Sequence, residues 1–346
     1  MSDFLRAICC CTNVRSSYVY VNDQKFTIQK LLGEGGFSFV YLVLSSQGKE
    51  FALKKIRCPF GNIDSLSQAM REINSYKRFQ SPFITRLVDS QVVQEKDGSK
   101  TVFILLPFFC KGSLQDVINR HLLDGTSMSE DEVVRIATGI ARGLHSIHDA
   151  TTHEDSEQYS MVSTAYTDDV SLMNELELDT FDDSTQTYAH RDLKPANVMI
   201  SAEGIPVICD LGSCSPAKIE ITSRQNLIHF EEWRSEHCTL AFIAPELLNV
   251  KLHSVITEKC DIWSLGCTLY TLCFGISPFE REEQVSGASV RYAIATGKYS
   301  IPSKPKFNGE FIRLIQQCLS VNPDDRPSSS SMISGLVQLQ SDISSS

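Results

Sequence analysis

The chain has 346 residues, of which 42% are hydrophobic, and carries a formal net charge of −10. That hydrophobic content supports a sizeable core and excludes an intrinsically disordered protein, and the charge argues against a nucleic-acid binder. The acidity is local: residues 149–187 hold 11 Asp or Glu and no Lys or Arg, leaving 31 acidic against 32 basic residues elsewhere.

In chain order, residues 1–22 read as a flexible arm bearing the triplet Cys9, Cys10 and Cys11. Strand-like stretches follow in "FTIQKLL", "FVYLVLSS" and "FALKKI", each rich in β-branched and aromatic residues. Leu66, Met70, Ile73 and Tyr76 recur at helical spacing and predict a helix over 64–79. Strands are predicted at 84–94 and 101–108, joined by the turn "KDGS". Helical patterns then dominate, at 113–122, 129–149, 258–275, 284–296, 308–320 and 328–340, with Ser129 and Glu132 placed as a capping box. The fold class is therefore α+β, a small β-rich lobe (26–108) followed by a larger helical one (109–340), with a hinge near 107–112. The apolar run "IWSLGCTLYTLCFGI" (262–276) is 15 residues long, short of the roughly 20 that span a bilayer, and reads as a buried helix. The twelve cysteines show no zinc-type spacing.

Several stretches carry chemistry. "LGEGGFSFVYLVL" places Gly33, Gly35 and Gly36 before a strand rather than a helix. That is unlike a dinucleotide fold and suits a hairpin laid over a nucleotide, where missing Cβ atoms let backbone N–H groups approach phosphate. Lys54 lies in the apolar strand "FALKKI", where an ammonium needs a counter-charge, and Glu72 on the following helix can supply it. Farther on, "YAHRDLKPANVMI" (188–200) sets Asp192, Lys194 and Asn197 against a short buried strand, and "VICDLGS" ends a second strand near Asp210. Phosphoryl transfer needs a carboxylate to orient the hydroxyl, oxygen ligands for magnesium and cations beside the moving phosphoryl group. These residues supply that inventory.

Their order and spacing resemble the eukaryotic protein kinase family over nearly the whole chain. "GEGGFSFV" matches the glycine-rich loop, "FALK" the phosphate-binding lysine, "HRDLKPAN" the catalytic loop, "DLG" the magnesium motif and "APE" (244–246) the end of the activation segment. "DIWSLG" (261–266) matches the helix that anchors the catalytic loop, and "RP" (326–327) the arginine that pairs with Glu246. The resemblance implies the bilobal kinase fold, ATP and Mg²⁺ as cofactors and protein substrates. It implies Asp192 as catalytic base and Lys194 as the γ-phosphate contact. Asn197 and Asp210 would hold the metal, and Lys54, held by Glu72, would contact the α- and β-phosphates. Leu32, Gly33, Glu34, Gly35, Gly36, Phe37, Ser38 and Val40 would enclose the nucleotide. Leu106 would be the gatekeeper, with the 107–109 backbone, Phe109 included, binding adenine. Lys194 and Thr239 follow the serine/threonine pattern. Ser38 replaces a glycine and Leu211 the usual phenylalanine; neither removes a catalytic group. A catalytically weak kinase-fold scaffold at a membrane is the alternative.

"LLGEGGFS", "ILLPFFCKGSL" and "CDLGS" resemble the Numb-associated branch and its small lipid-anchored members. In that branch the activation segment carries an extra helix. Helix is expected at 240–250; Ser223, Ser235 and Thr239 are candidate phosphate acceptors and Arg191 a candidate phosphate receiver, but the resemblance favours a segment built ready for activity without a loop phosphate, with Thr239 purely structural. Ser2 forbids myristoylation, whereas Cys9, Cys10 and Cys11 suit palmitoylation, since two or more acyl chains anchor stably. Fungal relatives of this kind point to the cytoplasmic face of an endomembrane, the vacuole before the Golgi. The segment 150–187 reads as a disordered acidic insertion and 341–346 as a tail.

Overall fold

The structure, a computed structural model, describes residues 17–35, 38–149, 186–303 and 306–345. Cys9–Cys11, Gly36, Phe37 and the body of the acidic insertion lie outside the described residues. The chain divides into two compact units: one comprises the residues up to Ile73 together with Leu87–Phe108, the other Asn74–Arg86 and everything from Phe109 onward.

The first unit is a six-stranded antiparallel sheet of β1 (Tyr18–Val21), β2 (Gln24–Gly35), β3 (Ser38–Ser45), β4 (Glu50–Cys58), β5 (Asp89–Gln94) and β6 (Lys100–Pro107), in the order β1-β2-β3-β4-β6-β5. Tyr18–Val21, expected in the flexible arm, are thus a strand. The Asn22–Asp23 turn explains it: both residues take positive φ, 45° and 66°, as a two-residue hairpin with the twist of its strands requires. Asn22 also ties the sheet's two edges together. Its Nδ2 donates to Asp89 Oδ1 (2.7 Å) and Ser90 O (3.0 Å), and its backbone N–H donates to Gln91 Oε1 (3.1 Å). Val21, Phe26, Val43, Phe51, Leu53, Phe103 and Leu105 form the sheet's hydrophobic core. Helix α1 (Ile63–Arg78) follows β4 and turns Ile73 and Tyr76 inward.

The strand expected over 84–94 begins only at Asp89. The backbone of 84–85 bonds elsewhere, to Ile208 in the second unit, where Thr85 N–H donates to Ile208 O at 2.8 Å. That unit contains α2 (Leu114–Asp124) and α3 (Glu130–His148), then the short strands β7 (Tyr188–Ala189), β8 (Val198–Ile200), β9 (Pro206–Ile208), β10 (Ser215–Pro216) and β11 (Ile219–Glu220). Helices α4 (Arg224–His237) and α5 (Pro245–Leu248), strand β12 (Val255–Ile256) and α6 (Lys259–Phe274) follow. The chain ends with α7 (Pro278–Ser286), α8 (Val290–Thr296), α9 (Gly309–Cys318) and α10 (Ser329–Ser345).

Helix α6 is buried from Cys260 to Leu272, as its apolar run foretells, and Trp263 stacks on Phe279 with centroids 5.2 Å apart. Among the described residues no single helix is long and apolar enough to cross a membrane. Three expectations are corrected here. The 284–296 helix is two, because Gly287 closes α7 in the left-handed region (φ 73°) and Ser289 caps α8 afresh. The 240–250 helix is only the four residues of α5 after a 3-10 turn, the longer helix of this segment being α4, capped by Ser223. The 341–346 tail continues α10 to Ser345.

Candidate active site

In the first unit the glycine-rich stretch forms the end of the β2–β3 hairpin. Gly33 pairs with Val40, Glu34 with Phe39 and Gly35 with Ser38, and Leu32 falls at a bulge between Leu31 and Gly33. A Cβ at Gly33 would meet nothing within 4 Å, and its φ is not in the left-handed region. Neither packing nor backbone strain within the chain demands glycine there, which leaves room for a ligand to approach the backbone. Lys54 sits on β4 opposite Val40 on one side and Ile104 on the other. Its Nζ meets Glu72 Oε1 at 2.7 Å and Oε2 at 2.9 Å. Glu72 is 3% exposed, so the ammonium is the counter-charge that permits a carboxylate there.

In the second unit Asp192 is the centre of a closed network. Thr239 N–H donates to Oδ1 (3.0 Å), while Lys194 Nζ (2.7 Å) and Asn197 Nδ2 (3.2 Å) donate to Oδ2. Lys194 also reaches Thr239 Oγ1 at 2.6 Å, and Asn197 Nδ2 donates to Asp192 O at 2.9 Å. With its nitrogen engaged in this way, Asn197 keeps its carbonyl oxygen for a hard cation. Asn197 lies just before β8 and Asp210 just after β9. Pairing of Val198 with Ile208, with Cys209 N–H donating to Asn197 O (2.9 Å), brings both to one end of this two-stranded ladder. Asp210 is exposed and left-handed, at φ 59°, a conformation an aspartate tolerates better than most residues. Two oxygen donors from the chain fit Mg²⁺, which takes one or two protein ligands and completes its shell with phosphate and water. Among the described residues no group of three His, Cys, Asp or Glu is placed to hold a metal.

Beneath the loop lies Asp261, fully buried on α6. Its Oδ2 accepts from His190 N–H (2.7 Å) and His148 Nε2 (2.8 Å), and its Oδ1 from Arg191 N–H (2.8 Å). Burial pushes its carboxyl upward, but the hydrogen bonds from His148 and the Arg191 N–H prevail and hold it below the usual carboxylate range. His190 Nε2 faces Cys209 O (3.2 Å) and its Nδ1 accepts from Asp192 N–H (3.3 Å). The imidazole thus links the catalytic loop to the strand that precedes Asp210.

Arg191 agrees with the reading that needs no loop phosphate. It is 2% exposed, at φ 65°, and its guanidinium donates to Ser215 Oγ (2.8 Å) and to the carbonyls of Pro216 and Ala217. It clasps its own chain and has no donor turned to solvent for a phosphate. The Glu246–Arg326 pair forms as expected, bidentate at 2.7 and 2.8 Å. Phe109, half-buried, opens the second unit, and its carbonyl accepts from Gly112 N–H (3.1 Å). The His148 contribution escaped sequence reasoning: a histidine ending an amphipathic helix gives no sign that it will meet an aspartate 113 residues away.

The protein kinase domain model matches residues 26–155 and 185–336. The chain belongs to the protein kinase family. Serine/threonine-protein kinase ENV7 of Saccharomyces cerevisiae is 48% identical over 97% of this chain and 98% of its own length. Serine/threonine-protein kinase ppk13 of Schizosaccharomyces pombe is 36% identical over 91% of each chain. Human serine/threonine-protein kinase 16 is 34% identical over 96% of this chain and 95% of its own. The bilobal kinase fold, with a β-rich N-terminal and a helical C-terminal region, and serine/threonine kinase activity follow from these matches and from the elements above. The family uses ATP and Mg²⁺ and acts on proteins. The domain match skips 156–184, within the acidic segment.

Proposed function

We propose that this kinase transfers the γ-phosphate of ATP to serine or threonine hydroxyls while tethered to an endomembrane by acylated cysteines. In this reading Asp192 orients the acceptor hydroxyl and takes its proton. Lys194 neutralises charge at the transferred group, and Thr239 fixes both side chains. Asn197 and Asp210 hold Mg²⁺. Lys54, set by Glu72, contacts the inner phosphates. Leu32, Gly33, Glu34, Gly35, Gly36, Phe37, Ser38 and Val40 cover the nucleotide, and the Phe109 backbone meets adenine. The bound nucleotide with its metal supplies the phosphoryl group and offsets its charge.

The observation that carries the reading is the Asp192 carboxylate held by Thr239, Lys194 and Asn197 at once, an orientation that a scaffold does not need. Asp192→Asn should lower phosphate incorporation into a protein substrate roughly 10³-fold, the scale of a lost general base, in a protein that circular dichroism shows to be folded at the assay temperature. Equal incorporation by the two proteins would favour the scaffold.

The tether rests on the "ICCCT" stretch. Three adjacent cysteines cannot all face one interior, and two or more acyl chains hold a protein on a bilayer. The vacuole is the first expected membrane and the Golgi the second, with a role in membrane trafficking or vacuole function. Acyl-exchange labelling should drop to background when Cys9, Cys10 and Cys11 are all changed to serine, and the kinase should move to the soluble fraction. Undiminished labelling would refute the tether.

A further inference from the structure

We propose that the outer face of the β1–β2 hairpin is a membrane seat, with Tyr18, Tyr20 and Lys25 at the headgroup level of a phospholipid bilayer. The inference rests on the lipid-anchor reading and goes beyond it by assigning the face of the kinase that meets the lipid.

Strand alternation separates the residues. Val21 is buried and Val19 packs against the same core, whereas Tyr18 and Tyr20 are 56% and 53% exposed. The two rings meet edge to face at 5.7 Å, and Lys25 Nζ stands 4.3 Å from the Tyr18 centroid. Two adjacent exposed tyrosines with a cation match the chemistry of the water–lipid interface, where amphipathic rings settle among headgroups and an ammonium neighbours the lipid phosphates.

Position in the chain selects the occupant. Only residues 12–17 separate Cys11 from Tyr18, and a fully extended chain of that length reaches at most roughly 25 Å. The first unit alone, about 80 residues of compact chain, is roughly 30 Å across, so an acylated Cys11 cannot let that unit present just any face to the bilayer. The strand is also firmly attached. Tyr18, Val19, Tyr20 and Val21 pair with Thr27, Phe26, Lys25 and Gln24, and Asn22 stitches the hairpin to β5. A pull on the arm is therefore transmitted to the whole sheet.

The test uses the full chain with a histidine tag ahead of Met1, held on phosphatidylcholine–phosphatidylserine vesicles doped with a nickel-chelating lipid, so that attachment does not depend on acylation. Tyr20→Trp and Tyr18→Trp are compared with Lys96→Trp, which is exposed in the turn between β5 and β6 of the same unit, using lipids brominated near the headgroup. The expected result is a blue shift and a loss of emission at positions 18 and 20, with neither change at 96. Equal quenching at all three positions, stronger quenching at 96, or unaltered emission at 18 and 20 would overturn the proposal. Acyl exchange on the cysteine triplet reports separately on the tether, so failure of one reading is distinguishable from failure of the other.

Discussion

Asp261 shows how a single buried charge can organise a catalytic loop. Two backbone N–H groups and one imidazole converge on its carboxylate, and every one of those donors would be orphaned by its loss. Asparagine at this site would turn an amide nitrogen toward backbone donors. We expect Asp261→Asn to cost about 3 kcal/mol, the scale of a buried polar group left unsatisfied, read as a lower midpoint in urea. The pH dependence has a definite sign. The folded-state carboxyl is held low, so its stabilisation is fully present above the unfolded value near 4 and is lost as pH falls through the lower folded value. The stability gap between wild type and Asp261→Asn should be full at neutral pH and close only below about pH 4. A gap that does not vary with pH would show that the carboxylate charge does not contribute. Arg191 teaches the complementary lesson: its type and position suit a phosphate receiver, but burial has committed its donors to Ser215 and two carbonyls.

Among the elements, α3 decides where the β8–β9 hairpin sits. Its Gly139 and Gly143 let the helix lie against that hairpin. A Cβ at 139 would fall 2.4 Å from Pro206 Cγ, and one at 143 would fall 2.8 Å from Ile208 Cδ1 and 2.9 Å from the Phe83 carbonyl. Since Asn197 and Asp210 flank the same ladder, pushing the helix away should disturb both. Gly143→Ala is expected to destabilise the kinase by about 1–3 kcal/mol, typical of overpacking, despite alanine's better helix propensity. It should also raise the Mg²⁺ concentration needed for half-maximal activity. Unchanged stability would mean that the helix shifts without consequence.

At the scale of the whole molecule, the nine cysteines among the described residues are all free thiols. Burial pushes Cys318 up to about 12 and Cys260 and Cys267 well above an ordinary thiol, which suppresses the thiolate that reacts. Cys110 is exposed. At neutral pH an alkylating reagent should label Cys110 in the native kinase and spare Cys260, Cys267 and Cys318 until denaturant is added. Prompt labelling of the latter three would contradict the packing around α6.

Taken alone, the sequence determined the elements whose signal is local. Periodicity found α1, α3 and the long strands, an unbroken apolar run found α6, and short motifs of fixed order named the family and proposed the acid, amide and amine groups of the candidate site. Its errors lie where a distant partner or a backbone conformation decides. The strand Tyr18–Val21 depends on a turn with two positive φ angles and on Asn22 reaching β5. The backbone of 84–85 joins β9 rather than β5, and Gly287 cuts one apolar pattern into two helices. Tertiary structure alone decided that Lys194 and Asn197 share one oxygen of Asp192, that His148 helps hold Asp261 and that the Arg191 guanidinium turns to Ser215 and two carbonyls. Hydrophobic pattern and propensity act over a few residues along the chain, whereas a hydrogen bond between residues a hundred positions apart exists only once folding has brought its donor and acceptor together.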